Sequence, residues 1–230
     1  MFYYDSTLIL LLPALIVSAI AQYKIFQSYR KYSKIDSRRG ITGEQVASRI
    51  LKANGIYDVD IELVSGQMTD HYDPRAKKLR LSRDVFYGTS IASIGIAAHE
   101  VGYAIQHNIN YAPLILRNKI VPAVNFGASF SWVLFFMGLL FSVKPLLLIG
   151  IVLFSFTVVF QLITLPVELN ASNRVIKSIV SMNLLSEEEV GGAKNVLFCA
   201  ALTYVAAALM SIMSLLRLIA LASRRDNWKK

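Results

Sequence analysis

The sequence of 230 residues contains one cysteine, few charged residues, and no internal repeat or low-complexity tract. A single cysteine, Cys199, cannot form an intrachain disulfide, which indicates a reducing compartment or indifference to redox state. The chain also lacks basic polar faces interleaved with aromatic residues. Its net charge of +9 therefore favours membrane contact, and no nucleic-acid partner is expected.

Long apolar runs dominate the sequence. Hydrophobic residues make up 55% of the chain and charged residues only 17%, and the mean hydropathy is +0.49. This composition is typical of a protein that crosses a bilayer. Four runs are long enough to span it, at residues 7–26, 126–142, 146–165 and 196–222. We therefore expect a multi-pass protein of the cell membrane, surrounded by lipid.

The first apolar run predicts a retained transmembrane helix. It is too long for a signal peptide, and basic residues follow it instead of preceding it. Six basic residues come after it, against only Asp36: Lys24, Arg30, Lys31, Lys34, Arg38 and Arg39. The positive-inside rule then places the N-terminus, with Asp5, outside and the next segment in the cytoplasm. Four spans also place the C-terminus outside, which the basic tail opposes: Arg224, Arg225, Lys229 and Lys230.

The segment between the first two spans has the pattern of a small α+β unit. Residues 40–55 predict an amphipathic helix, with Thr42 and Gln45 placed to form a capping box. Residues 59–64 and 77–81 alternate in polarity and predict two strands, while residues 70–74 predict a turn. Strand residues 79–82 could pair with an extended peptide, or could form an ordinary internal strand.

A buried helix that begins at Thr89 or Ser90 and runs through His107 is the most informative element. It is apolar on nearly all sides, yet it carries His99 and Glu100 at its centre. Burying these groups costs free energy unless each finds a partner or a metal. They form the first half of the His-Glu-x-x-His motif, in which two histidines face zinc and the Glu is the general base. Tyr103 stands where the second histidine is expected.

A zinc hydrolase needs three protein ligands and a position open to water. Glu168, which follows Pro166 at the end of the third span, is the candidate for the third ligand. The alternative is an interfacial carboxylate that stays in water or pairs with Arg174. Because the second and third spans form a hairpin, His99 and Glu168 should lie on the same side of the membrane in either orientation.

Four further polar residues could contact substrate or orient the ligands: His71, Gln106, His107 and Asn170. His71 is more typical of a surface turn than of a metal ligand, and the two amides are typical of any wet cavity. His107 could replace the missing ligand only with distortion, because two helical turns carry it ~12 Å along the axis and about 80° round.

Four segments resemble the bacterial membrane-associated neutral zinc metallopeptidases: residues 97–106 (AAHEVGYAIQ), 69–75 (TDHYDPR), 79–82 (LRLS) and 165–172 (LPVELNAS). More distantly, the chain is similar to the membrane heat-shock metalloproteases and the CAAX-prenyl proteases. The resemblance implies a mainly α membrane protein with about four transmembrane helices plus a small α+β zincin-like domain with a short β-sheet. It also implies zinc as cofactor, His99 as first ligand, Glu100 as base and Glu168 as third ligand. The second ligand position falls on Tyr103.

On this basis we expect five parts: an N-terminal transmembrane helix (1–27), a cytoplasmic zincin-like subdomain with the motif helix (28–120), a transmembrane hairpin (121–166), a cytoplasmic helix with Glu168 (167–195), and a C-terminal transmembrane helix with a basic tail (196–230).

Tyr103 leaves three interpretations of the site open: an inactivated protein that keeps the fold, a phenolate ligand in a weakened metal site, and a rearranged site that recruits His107. Two functions follow. One is a membrane-embedded zinc metallopeptidase that cleaves peptide or protein substrates at the cytoplasmic membrane face. The other is a non-catalytic pseudo-protease that binds membrane-protein segments or partners. A transporter is disfavoured, because the spans carry few charges beyond Arg217.

Overall fold

The computed structural model describes residues 6–226, so Asp5, Lys229 and Lys230 lie outside the described part of the chain. The structure is mainly helical. A short 3-10 helix, Ser6–Leu11, precedes the helices α1 (Leu12–Tyr32), α2 (Gly43–Ala53), α3 (Arg83–Phe86), α4 (Ile91–Asn108), α5 (Ala112–Phe141), α6 (Lys144–Ser181) and α7 (Glu187–Asp226). The strands are β1 (Asp60–Val64), β2 (His71–Asp73) and β3 (Lys78–Ser82).

Four helical segments are long and apolar enough to cross a membrane: Thr7–Tyr32, Ala112–Phe141, Lys144–Ser181 and Glu187–Ser223. Together with the small sheet, they confirm the predicted fold class. The third segment is longer than expected, because α6 continues through Pro166 to Ser181. Proline removes one backbone donor, but packed neighbours allow a long helix to continue through it.

The chain divides into two compact units. The first consists of Met1–Ala21, Leu116–Leu165 and Thr203–Lys230, and the second of Gln22–Ile115 and Pro166–Leu202. Each has its own apolar cluster. That of the first unit includes Phe135, Leu147 and Leu218, and that of the second includes Leu79, Ile94, Val101 and Ile179. All the residues predicted to form the site belong to the second unit.

The small α+β unit follows its sequence pattern closely at α2. The Thr42 hydroxyl accepts the N–H of Gln45 at 3.2 Å, and the Gln45 side chain accepts the N–H of Thr42 at 3.3 Å. This is the predicted capping box, which satisfies two backbone donors that the first turn leaves unpaired. One face of α2 then packs Val46, Ile50 and Leu51 into the core.

The three-stranded sheet adds two details to the prediction. Its order is β1-β3-β2, with β3 parallel to β1 and antiparallel to β2. Because β3 lies between β1 and β2, residues 78–80 pair with a strand on both sides, so for them the alternative of an ordinary internal strand is the one observed. The predicted turn at residues 70–74 is instead the strand β2. The turn begins at Asp73, whose carboxylate accepts the N–H groups of Arg75 and Ala76.

Helix α4 lies at the centre of the second unit and begins after Ser90, whose hydroxyl accepts the N–H of Ser93 at 3.1 Å. Gly102 lets α4 approach α6 closely. A Cβ atom at this position would lie 2.9 Å from the carbonyl oxygen of Ala171 and 3.1 Å from its Cα. The absence of a side chain here therefore sets the spacing between the two helices that carry His99 and Glu168.

Replacing Gly102 with alanine should force α4 away from α6, because the clash is with backbone atoms. We expect Gly102→Ala to lower the free energy of unfolding by about 1–3 kcal/mol. Gly95→Ala on the same helix is the matched control, because a Cβ there lies 3.8 Å from its nearest neighbour, Ala193. Thermal unfolding in detergent should show it unchanged or stabilised by about 0.5 kcal/mol. Equal destabilisation by the two substitutions would contradict the close-approach argument.

Candidate active site

Three side chains from α4 and α6 meet in the second unit. The Nε2 atom of His99 lies 3.3 Å from Oε2 of Glu168 and 3.2 Å from the hydroxyl of Tyr103. The Tyr103 hydroxyl donates a hydrogen bond of 2.5 Å to the same Oε2 atom. Glu168 is only 2% exposed, so it is not a carboxylate in water. Arg174, its expected alternative partner, donates through Nε to Asn170.

Glu100 follows His99 on α4 and has a different environment. Its carboxylate accepts the backbone N–H of Tyr72, in strand β2, at 3.2 Å. Burial raises the pKa of Glu100 to about 7; the nearby carboxylates of Glu168 and Asp70 act in the same direction, while His99 opposes them. A carboxylate with a pKa near neutral can both accept and return a proton at physiological pH.

Ser172 contacts the other nitrogen of the His99 ring, at a distance of 3.1 Å between Oγ and Nδ1. Metal-binding histidines usually have such a bond, which fixes the orientation of the ring and the position of its proton. Sequence reasoning missed this residue. The available signal was its position four residues after Glu168, which places both side chains on one face of α6.

Gln106 and Asn170 connect the same two helices. Gln106 is fully buried, and its side-chain amide donates to the carbonyl of Val167 at 2.8 Å and to Asn170 at 3.1 Å. Val167 immediately precedes Glu168. These bonds therefore hold the segment of α6 that carries the buried carboxylate against α4.

The other two histidines do not join the triad. Nδ1 of His107 lies 2.8 Å from the hydroxyl of Tyr72. Burial, with the charges of Asp58 and Asp73, raises the pKa of Tyr72 to about 12, so its hydroxyl stays protonated. His71 is exposed, with Nδ1 2.7 Å from the carbonyl of Thr69. His71 is the first residue of strand β2, and His107 lies near the end of α4.

The donor set can be compared with the geometry of zinc. Two ligands at about 2.0–2.2 Å from a tetrahedral ion lie roughly 3.3 Å apart. The distances from His99 to Glu168 and to Tyr103 match this separation, whereas the 2.5 Å between Tyr103 and Glu168 is that of a hydrogen bond. Within residues 6–226, no three His, Cys, Asp or Glu side chains group as metal ligands. His99 and Glu168 therefore have the separation of two zinc ligands, and the third donor of the group is a phenol.

Replacing Gln106 with leucine should remove the donor of two hydrogen bonds from α4 to α6, one of them to the buried carbonyl of Val167. We expect Gln106→Leu to lower the free energy of unfolding by about 1–3 kcal/mol. Gln67→Leu is the control, because Gln67 is exposed in the loop between β1 and β2, and its effect should stay within about 0.5 kcal/mol. Denaturant titration in detergent measures both. Equal losses in the free energy of unfolding for the two variants would show that the hydrogen bonds of Gln106 do not hold α6 against α4.

Comparisons with known proteins identify the family of the chain. A family model described as "putative neutral zinc metallopeptidase" matches residues 7–223. The chain is 49% identical over 220 residues to the "putative membrane protease YugP" of Bacillus subtilis strain 168. The aligned region covers 95% of this chain and 98% of that protein. No solved structure matches. With a family match and a relative that both extend over nearly its whole length, the chain belongs to the neutral zinc metallopeptidase family and is a membrane protein.

Proposed function

We propose that the protein is a membrane-embedded, zinc-dependent metallopeptidase that cleaves peptide or protein substrates at the cytoplasmic face of the cell membrane, with a metal site weakened by Tyr103. One observation carries this proposal. His99 and Glu168 are 69 residues apart in the chain, yet they meet at 3.3 Å, and Glu100 adjoins His99. A partly buried imidazole and a buried carboxylate, beside a second carboxylate with a raised pKa, suit metal-assisted hydrolysis.

The residues have separate roles in this mechanism. His99 and Glu168 would hold the ion, with the Tyr103 hydroxyl beside them. Bound zinc supplies the charge that activates a water molecule and polarises the scissile carbonyl. Glu100 takes a proton from the attacking water and returns it to the leaving amine. The backbone N–H of Tyr72 positions the Glu100 carboxylate, and Ser172 fixes the orientation of the His99 ring.

Tyr103 weakens the metal site because its hydroxyl proton already forms a hydrogen bond within the site. The hydroxyl donates to Glu168, and the ordinary pKa of tyrosine is about 10. A metal must therefore displace this hydrogen bond or remove the proton. Loss of a group that merely supports a ligand lowers metal affinity by about 10–100-fold, so loss of a direct ligand should lower it further.

Restoring histidine at this position should restore hydrolysis. In the presence of zinc, Tyr103→His should cleave casein at least ~100-fold faster than the wild type, because it regains a direct metal ligand. Adding Glu100→Gln to this variant should abolish the gain, because the proton acceptor is lost. If Tyr103→His does not cleave, the peptidase proposal fails and the pseudo-protease becomes the better account. If the wild type cleaves equally fast, the metal site is not weakened.

The proposed orientation follows from charge. The stretch after α1 is rich in lysine and arginine, which remain on the cytoplasmic side. It leads directly into α2 and the sheet of the second unit. Ser142 and Val143, between α5 and α6, follow the second span, so they should face the exterior.

Cysteine labelling can test this orientation. Cys199 is buried and can be replaced with serine to give a cysteine-free background. In that background, Ser142→Cys should react with a membrane-impermeant thiol reagent on intact cells. Ser65→Cys, in the exposed loop between β1 and β2, should react only after the membrane is opened. The reverse pattern would place the candidate site outside the cytoplasm.

A further inference from the structure

We propose that Tyr103 performs the structural role of a metal ion between α4 and α6, so that the protein is folded and stable without zinc. This inference rests on the proposed function, because it concerns the same site. Unlike the proposed function, it concerns which contacts hold α4 and α6 together when no metal is bound. Measurements of thermal unfolding can test it without any assay of activity.

The argument begins with the burial of Glu168. Its side chain is 2% exposed, and removing the partner of a buried charge is strongly destabilising. The hydrogen bond from the Tyr103 hydroxyl is 2.5 Å long. Hydrogen bonds from a hydroxyl to a carboxylate at such distances belong to the strongest class found in proteins. The phenol thus stabilises the carboxylate in the place where a cation would otherwise do so.

The same hydroxyl also contacts the second candidate ligand. It lies 3.2 Å from Nε2 of His99, so one oxygen atom touches both groups that an ion would bridge. A histidine on the same backbone is shorter, and its ring nitrogen would end farther from Glu168. A metal ion would fill that gap, whereas the longer tyrosine closes it directly.

Three further contacts join the two helices near Tyr103. Gln106 donates to the carbonyl of Val167, Ser172 contacts the His99 ring, and Gly102 packs against Ala171. With Tyr103 included, polar contacts and close packing hold this part of α4 against α6. The two helices therefore keep their spacing whether or not an ion is present.

Thermal unfolding in detergent, with a chelator or with added zinc chloride, tests the inference. A ligand stabilises a protein only when its concentration exceeds its dissociation constant. The wild-type Tm should therefore be the same in chelator and in micromolar zinc, to within about 1 °C. Tyr103→Phe should lower the Tm by about 4–10 °C under both conditions, because Glu168 loses its hydroxyl donor. Tyr57→Phe is the control, because Tyr57 is 80% exposed, and its Tm should match the wild type.

The Tm of Tyr103→His should depend on zinc, in contrast to that of the wild type. Its Tm should fall by several degrees in chelator and recover with zinc, because the new histidine, His99 and Glu168 would then hold the ion. A double variant guards against a failure of Tyr103→Phe to fold. In a Glu168→Leu background the carboxylate that accepts the hydrogen bond of Tyr103 is gone, so Tyr103→Phe should change the Tm by less than about 2 °C.

Two results would overturn the inference: a wild-type Tm that falls by several degrees in chelator, or a Tyr103→Phe variant as stable as the wild type. The outcome is separable from that of the proposed function. If zinc stabilises Tyr103→His but the variant does not cleave, the peptidase proposal fails and the inference stands. If Tyr103→His cleaves but chelator destabilises the wild type, the inference fails and the peptidase proposal stands.

Discussion

The arrangement of the site depends on one buried carboxylate, that of Glu168, because a negative charge inside a protein needs a partner. Tyr103 provides a short hydrogen bond and His99 lies beside it, both from the facing helix. Gly102 allows the two helices to approach, and Gln106 fixes the turn of α6 that carries the carboxylate. The contacts that pack α4 against α6 therefore also position the side chains of the site.

Much of the fold could be predicted because local patterns determine it. The capping box of α2 and the start of α4 after Ser90 follow from side chains within one helical turn. The prediction failed where contacts between distant parts of the chain determine the secondary structure. Pro166 does not end α6, and β2 is a strand only because β3 pairs with it. Likewise, the central place of β3 in the sheet depends on β1, which lies in another part of the sequence.

The site shows the same division. His99, Glu100 and Glu168 could be singled out from motif and family resemblance, and the structure places His99 and Glu168 in contact. Ser172 and the backbone N–H of Tyr72 were missed, because their roles depend on contacts across 73 and 28 residues. The hydrogen bond from Tyr103 to Glu168 also escaped prediction. The sequence shows that Tyr103 stands where a histidine ligand is expected. It does not show that this side chain contacts Glu168, which lies 65 residues away in the chain.

The affinity of the purified protein for zinc tests the central claim most directly, namely that Tyr103 occupies the metal position with its own hydrogen bond. Competition against a chromophoric chelator would compare the wild type with Tyr103→His under the same conditions. The account predicts a wild-type dissociation constant more than ~100-fold weaker than that of the variant, because a direct ligand is missing. Equal dissociation constants for the two proteins would contradict it.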